Sequence, residues 1–188
     1  MSTNKIFFKS KMRNFLMYRS FYTANICKNT VIIQIIGQLF QINPTKMAVH
    51  YHTEDCRYRL PEKRRTTAWL REVAQAEGYT VGEINYIFSS AEYLLEMNRQ
   101  FLGHDYFTDV ITFDYSDRKG SRIVSGDIFI DVETVRDNAR LYGATALHEM
   151  RRVVVHGLLH LCGQKDKTPR TEAQMHRKED KYLKFWSL

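Results

Sequence analysis

The chain is short of cysteine, and its first 46 residues contain no acidic side chain. Only Cys27, Cys56 and Cys162 occur in 188 residues. Scattered and odd in number, they make neither a disulfide framework nor a metal-binding pair. That excludes a disulfide-stapled secreted scaffold and predicts a reduced, cytoplasmic protein. Long apolar runs are lacking too. The stretch Val31-Ile-Ile-Gln-Ile-Ile-Gly-Gln-Leu-Phe40 is too short to span a bilayer and is interrupted by glutamines, so no membrane attachment is expected.

Excess charge is confined to one end. Lys5, Lys9, Lys11, Arg13, Arg19, Lys28 and Lys46 account for the whole net charge of +7. Without these 7, the 28 basic side chains fall to 21, against 21 acidic ones. Residues 47–188 are therefore neutral overall, and any surface for a polyanion must be a local patch rather than a general basicity. The 1–46 segment has no clear cleavage site, and its basic stretch is too long for a signal peptide. Its charge bias fits a transit peptide, but its apolar run fits one poorly. It is expected to be a disordered extension or the product of an upstream start, with Met47 as a second start. Residues 47–188 are expected to form a single domain.

What is present is a metal-site pattern, His156-Gly-Leu-Leu-His160-Leu-Cys-Gly163-Gln-Lys-Asp166. Histidines four apart on a helix project from one face, about 6 Å apart. Gly163 follows as a left-handed helix stop, and the turn brings Asp166 back as a third ligand. Three protein ligands leave a tetrahedral ion one open position, the arrangement of catalytic zinc. Gly157 stands where an HExxH protease carries its general-base glutamate, which argues against peptide hydrolysis. His176 is the rival third ligand, but its run His176-Arg-Lys-Glu-Asp-Lys181 reads as a solvated helix face.

The segment Arg151-Arg-Val-Val-Val-His-Gly-Leu-Leu-His-Leu-Cys-Gly resembles the signature helix of the YbeY family, endoribonucleases of ribosomal RNA maturation. Met97-Asn-Arg-Gln-Phe-Leu-Gly-His-Asp105-Tyr-Phe-Thr108-Asp-Val-Ile-Thr-Phe113 is similar to that family's segment ending in Thr-Asn/Asp-Val-Leu-Ser-Phe. Ser125-Gly-Asp-Ile-Phe-Ile-Asp131 is similar to its Gly-Asp-Ile strand. The blocks stand in family order, and the resemblance runs from about Met47 to the C-terminus. It departs at two places. Asp166 stands where the family commonly has a third histidine, and Leu102 stands where it usually has an arginine implicated in activity. Arg99, three residues earlier, is the candidate replacement. Carboxylate is an acceptable zinc ligand, and its charge makes harder ions such as manganese better tolerated.

Hydrophobic spacing predicts strands at 47–52, 81–88, 107–114 and 123–131, the last two joined as an antiparallel hairpin. Helices are expected at 64–77, from a Ser89–Glu92 capping box to about Phe101, at 132–142, at 144–161, and from about Pro169. The order βαβαββααα implies an α+β domain, a small mixed sheet of about four strands packed with about five helices. On the predicted 144–161 helix, Leu147, Met150, Val154, Leu158 and Leu161 mark the core face. Arg152, His156 and His160 form an adjacent stripe, and Cys162 is assigned to the core.

The resemblance implies a zinc-dependent endoribonuclease acting on ribosomal RNA, in particular on the 3′ end of 16S ribosomal RNA, with small-subunit components as partners. Arg152 and Arg99 are the candidates to hold the phosphate. His104, Tyr106 and Phe107 are candidates to stack on unpaired bases, set against core packing. No general base is apparent from the sequence, Asp105 and Asp127 being available carboxylates without a supporting pattern. His50, His52 and His148 have no assigned role, and His148 is expected at the surface. The competing reading is a ribosome-assembly factor that binds RNA around a structural metal, to which the loss of arginine at Leu102 lends weight.

Overall fold

The computed structural model describes residues 48–117 and 120–186. The expectations for residues 1–46 lie outside the described residues. The chain runs β1 (Ala48–Thr53), α1 (Lys63–Ala76), β2 (Thr80–Ser89), α2 (Ala91–Met97), a π-helical turn (Asn98–Leu102), β3 (Val110–Asp114), β4 (Ile123–Asp131), α3 (Val132–Leu141), α4 (Ala146–Leu161) and α5 (Pro169–Trp186). The sheet order is β1-β2-β4-β3, with β1, β2 and β4 parallel and β3 antiparallel to β4. The expected α+β class, element order and hairpin are all present. Among the described residues no helix is long and apolar enough to cross a membrane.

Three local expectations need correction. The cap of α2 is Ser90, whose hydroxyl accepts from the Tyr93 amide at 3.2 Å. Ser89 is instead the buried last residue of β2, held there by pairing with Asp131 of β4. α2 stops at Met97, and the chain widens into the π-helical turn before Gly103 ends it in the left-handed region. β3 starts at Val110, three residues later than expected. The residues before it, including Tyr106 and Phe107, belong to an exposed loop rather than to the sheet.

Alternation along the strands sorts the core. Ile84, Tyr86 and Phe88 of β2 and Ile128 and Ile130 of β4 share one cluster with Trp69, Leu70 and Val73 of α1, Val154, Leu158 and Leu161 of α4, and Tyr182 of α5. Ile87, Phe129 and Ile111 form a smaller cluster with Leu94 of α2. Such period-two sorting is what a sheet with both faces covered requires.

α4 is held to the sheet by burial and close approach. Its valine run, Val153 to Val155, is buried throughout, which offsets the weak helix preference of β-branched residues. Tyr86 reaches up from β2 and donates its hydroxyl to the Val154 carbonyl at 3.0 Å. At Gly157 helix and sheet meet so closely that a β-carbon would stand 2.6 Å from Ile128 Cγ2. The glycine that takes the place of a protease glutamate is thus a packing residue.

Candidate metal centre

The site is built on the stripe of α4 next to its core face. Thr145 caps this helix by accepting from the His148 amide at 3.2 Å. Arg152, His156 and His160 follow at four-residue steps, each partly buried, and His148 is exposed. At the other end, Gly163 (φ 88°) reverses the chain. Its amide donates to the His160 carbonyl at 2.8 Å and the Gln164 amide to the Leu159 carbonyl at 2.9 Å, the paired bonds of a Schellman turn.

That turn also orients a side chain. The Gln164 carbonyl lies 2.9 Å from His160 Nδ1 and accepts its proton, so Nε2 faces outward. His156 is oriented from α5, where Glu179 Oε1 lies 2.7 Å from its Nδ1. Both Nε2 atoms then converge on Asp166 Oδ2, at 3.6 Å from His156 and 3.3 Å from His160. Ligands bound at about 2.1 Å around a tetrahedral ion stand about 3.4 Å apart, so the donor set fits such an ion. The three ligand atoms lie within 4.8 Å of one another, and His156, His160 and Asp166 can hold a metal ion. A carboxylate or carbonyl on the far nitrogen of each ligating histidine is the usual support of a metal site.

The electrostatics follow from burial and pairing. Burial alone would lower the pKa of His156, but the hydrogen bond and charge of Glu179, helped by Asp109 and Asp166, outweigh it and raise the pKa. His160 is lowered, first by burial and then by the charge of His156. Glu179 is opposed by burial, yet its bonds to His156, His176 and Arg152 bring its carboxyl down to about 2. The contact with Glu179 that orients His156 thus also favours its protonated form, with which a metal ion competes.

The other expected residues are placed as follows. Arg152 directs Nη1 at Asp180 Oδ1 (2.8 Å) and Glu179 Oε2 (3.2 Å), and its Nε lies 3.7 Å from Glu149 Oε2. It is engaged with three carboxylates. Arg99, on the π-helical turn, pairs with Asp105 at 2.5 Å, and Leu102 ends that turn exposed. Asp127 accepts from Asn85 Nδ2 at 2.7 Å and Tyr115 Oη at 3.2 Å, within the strand network. His176 lies outside the three-ligand cluster, 3.1 Å from Glu179 Oε2. His104 and Tyr106 stack with ring centroids 5.1 Å apart, and Tyr106 and Phe107 are 57% and 59% exposed. Core packing is thus not their role. Buried Asn98 steadies this loop by donating to the Tyr106 carbonyl at 2.8 Å.

Two acidic residues at the site were not singled out by sequence reasoning. Glu179 belongs to the run expected as a solvated face, yet its side chain is only 2% exposed. Its signal was available: Met175, Glu179, Tyr182, Leu183 and Trp186 are the buried residues of α5, so the glutamate sits in a core register. Asp109 lies within the quoted Thr108-Asp-Val block. Burial raises its pKa, the charge of His156 lowers it, and its carbonyl accepts from the Asp131 amide at 2.9 Å.

Comparison with known proteins agrees with this architecture. Residues 49–187 match the family model described as endoribonuclease YbeY. A protein of that name from Cytophaga hutchinsonii is 49% identical over 135 residues, covering 72% of this chain and 93% of the relative. One from Bacteroides thetaiotaomicron is 50% identical over 137 residues, covering 73% and 98%. The solution structure of a Thermotoga maritima protein superposes with a TM-score of 0.52 at 27% identity, covering 74% of this chain and 89% of that one. On these grounds the chain belongs to the endoribonuclease YbeY family.

Proposed function

We propose that this protein is a metal-dependent endoribonuclease that cleaves single-stranded ribosomal RNA, with zinc held by His156, His160 and Asp166. The observation that carries the reading is the convergence of two imidazole Nε2 atoms on one carboxylate oxygen, with each Nδ1 already engaged by an acceptor. When bound, the ion supplies a Lewis acid and an activated water for hydrolysis of a phosphodiester. Glu179 and the Gln164 carbonyl keep the Nδ1 protons in place, so that Nε2 is the free donor on both rings. Asp109, raised by burial and within electrostatic reach of His156, adds a further carboxylate to the charges acting on the cluster. Arg152 acts through Glu179, which it helps to hold, and Arg99, on the π-helical turn, is the candidate for a phosphate contact. The exposed rings of His104, Tyr106 and Phe107 offer stacking faces to unpaired bases.

The finer substrate is the 3′ end of 16S ribosomal RNA, in maturation and ribosome quality control. Small-subunit components are the partners and the cytoplasm the location. The second reading, an assembly factor with a structural metal, draws on the exposed Leu102 at the position of the family arginine. The deciding experiment incubates the full chain with a single-stranded RNA, with and without chelator, beside His156→Ala. Cleavage that chelation abolishes, that added zinc or manganese restores, and that a folded His156→Ala lacks is the expected result. No cleavage by folded, metal-loaded protein would overturn the nuclease reading in favour of the assembly factor.

A further inference from the structure

β1 and β3 are the two edges of the sheet, and among the described residues no strand pairs with the outer side of β1. An edge strand presents a row of backbone N–H and C=O groups, which proteins commonly blunt with a charged side chain, a proline or a bulge. Ala48-Val-His-Tyr-His-Thr53 has no Lys, Arg, Asp, Glu or Pro, and its register with β2 runs without a bulge. Beside it lies a cleft of about 350 Å³, lined by Val49 and Tyr51 of β1 and by Lys63, Arg64, Thr67 and Arg71 of α1, with no acidic residue in its wall. Its floor is fixed by Tyr51. That ring stacks on Tyr86 with centroids 5.7 Å apart, its hydroxyl lies 3.0 Å from Thr67 Oγ1, and Lys63 Nζ sits 5.6 Å over it.

An open edge is ordinary in itself, but the charge beside this one is not. Lys63, Arg64 and Arg65 stand in the first turn of α1 with no acidic residue among them, where the helix dipole disfavours cations and favours an anion. Arg65 is engaged by Glu62 and by the Trp186 carbonyl, whereas Lys63 and Arg64 line the cleft. One occupant has to answer both features. The edge needs N–H donors for its carbonyls and acceptors for its amides, and the cations need negative groups. A polypeptide with acidic side chains supplies all three, while a phosphate backbone accepts hydrogen bonds without offering a strand's row of donors. Residues 1–46 have seven cations and no acidic side chain, so their charge does not match the cleft. We propose that β1 and this cleft dock an extended acidic segment of a partner protein, which adds as a fifth strand beside β1 and turns alternate carboxylates toward Lys63 and Arg64. The site shares no residue with the metal cluster and does not depend on the nuclease reading.

The test measures fluorescence anisotropy of a labelled octapeptide of alternating valine and glutamate on the full chain and on the double variant Lys63→Gln, Arg64→Gln. Both side chains are exposed, so helix content serves as the folding control. Two further peptides keep the charge but carry N-methyl groups on one or the other alternate set of residues, which removes the amide donors of one strand side. Binding that one of the two methylated forms loses, and that the variant weakens by about five- to tenfold for two exposed ion pairs, is the expected result. Hydrogen exchange at the amides of β1 should slow when the unmethylated peptide is added. Equal binding of both methylated forms would overturn the proposal by reducing it to charge alone, and unchanged affinity in the variant would remove the cations from it. A valine–lysine octapeptide that binds as tightly as the glutamate one, or a single-stranded RNA decamer that binds β1 more tightly and displaces it, would likewise overturn the acidic strand as the occupant.

Discussion

Nδ1 of His156 lies 2.7 Å from Oε1 of Glu179, a bond that joins two helices and fixes which nitrogen of the imidazole is free. Glu179 is held in turn by Arg152 Nη1 at 3.2 Å and His176 Nδ1 at 3.1 Å. The carboxylate is thus an orienting group for a candidate metal ligand and the counter-charge of a small cationic cluster. Glu179→Gln keeps an acceptor of the same size but lowers the basicity of the ring. Glu179→Ala removes the acceptor and leaves Arg152 without its buried partner. Loss of such supporting groups costs about 10- to 100-fold in metal affinity. The glutamine variant is expected near the lower end and the alanine near the upper, measured by competition with a chromophoric chelator. Wild-type affinity in both would show that α5 does not set the ligand geometry.

A second, half-buried carboxylate predicts how stability depends on acid away from the metal cluster. Glu77, just after α1, accepts from Lys178 Nζ and Tyr182 Oη of α5, both at 2.5 Å. Burial opposes its charge, but the bonds to Lys178 and Tyr182 prevail and its pKa falls below 4.5. A carboxylate more acidic in the fold than in the unfolded chain stabilises fully above its unfolded value of 4.5 and loses this as pH falls through its folded value. Glu77→Gln is therefore expected to unfold earlier than wild type at neutral pH and to converge with it in acid. Thermal melts across that range provide the check, and parallel curves at every pH would refute the assignment.

Close packing at Gly157 makes a third prediction. Gly157→Ala places a methyl 2.6 Å from Ile128 Cγ2 in a buried layer where neither element can yield freely. Overpacking of this kind costs about 1–3 kcal/mol. Ile128→Ala removes the obstructing atom at its own cost, so the double variant should be less destabilised than the sum of the two singles. Denaturant unfolding of the four proteins closes the cycle. Simple additivity would mean that α4 shifts rather than clashes.

Much of this was legible in the sequence for physical reasons. Element order followed from periodicity and from glycines that end helices, and the clustering of His156, His160 and Asp166 followed from i, i+4 spacing and a single reversing turn at Gly163. Where sequence reading fell short, a long-range partner decided the outcome. Ser89 looked like a cap, but the β-ladder claims it. Glu179 looked solvated because its neighbours are charged, although its register with Met175 and Tyr182 marks it as buried. Arg152 carries no mark in the sequence of the carboxylates awaiting it on α5. Asp109 was hidden in a block read for its family likeness, and only the fold brings it within reach of His156.

Asp166, the carboxylate of the candidate metal cluster, gives the last prediction. Asp166 Oδ2 is 3.3 Å from His160 Nε2, whereas His176 faces Glu179 and lies outside the cluster. Asp166→Ala should lower metal affinity by at least about 100-fold, the upper end of what a lost supporting group costs, since a direct ligand matters more. His176→Ala should leave occupancy near wild type, measured by elemental analysis after gel filtration. Asp166→His restores three imidazoles and removes one negative charge from the site. Oxygen donors favour harder ions and imidazole favours zinc, so this variant should hold zinc well while losing affinity for manganese. A ratio of zinc to manganese affinity that does not change in Asp166→His would mean the carboxylate does not touch the ion. Loss of metal in His176→Ala, with retention in Asp166→Ala, would move the third ligand to α5.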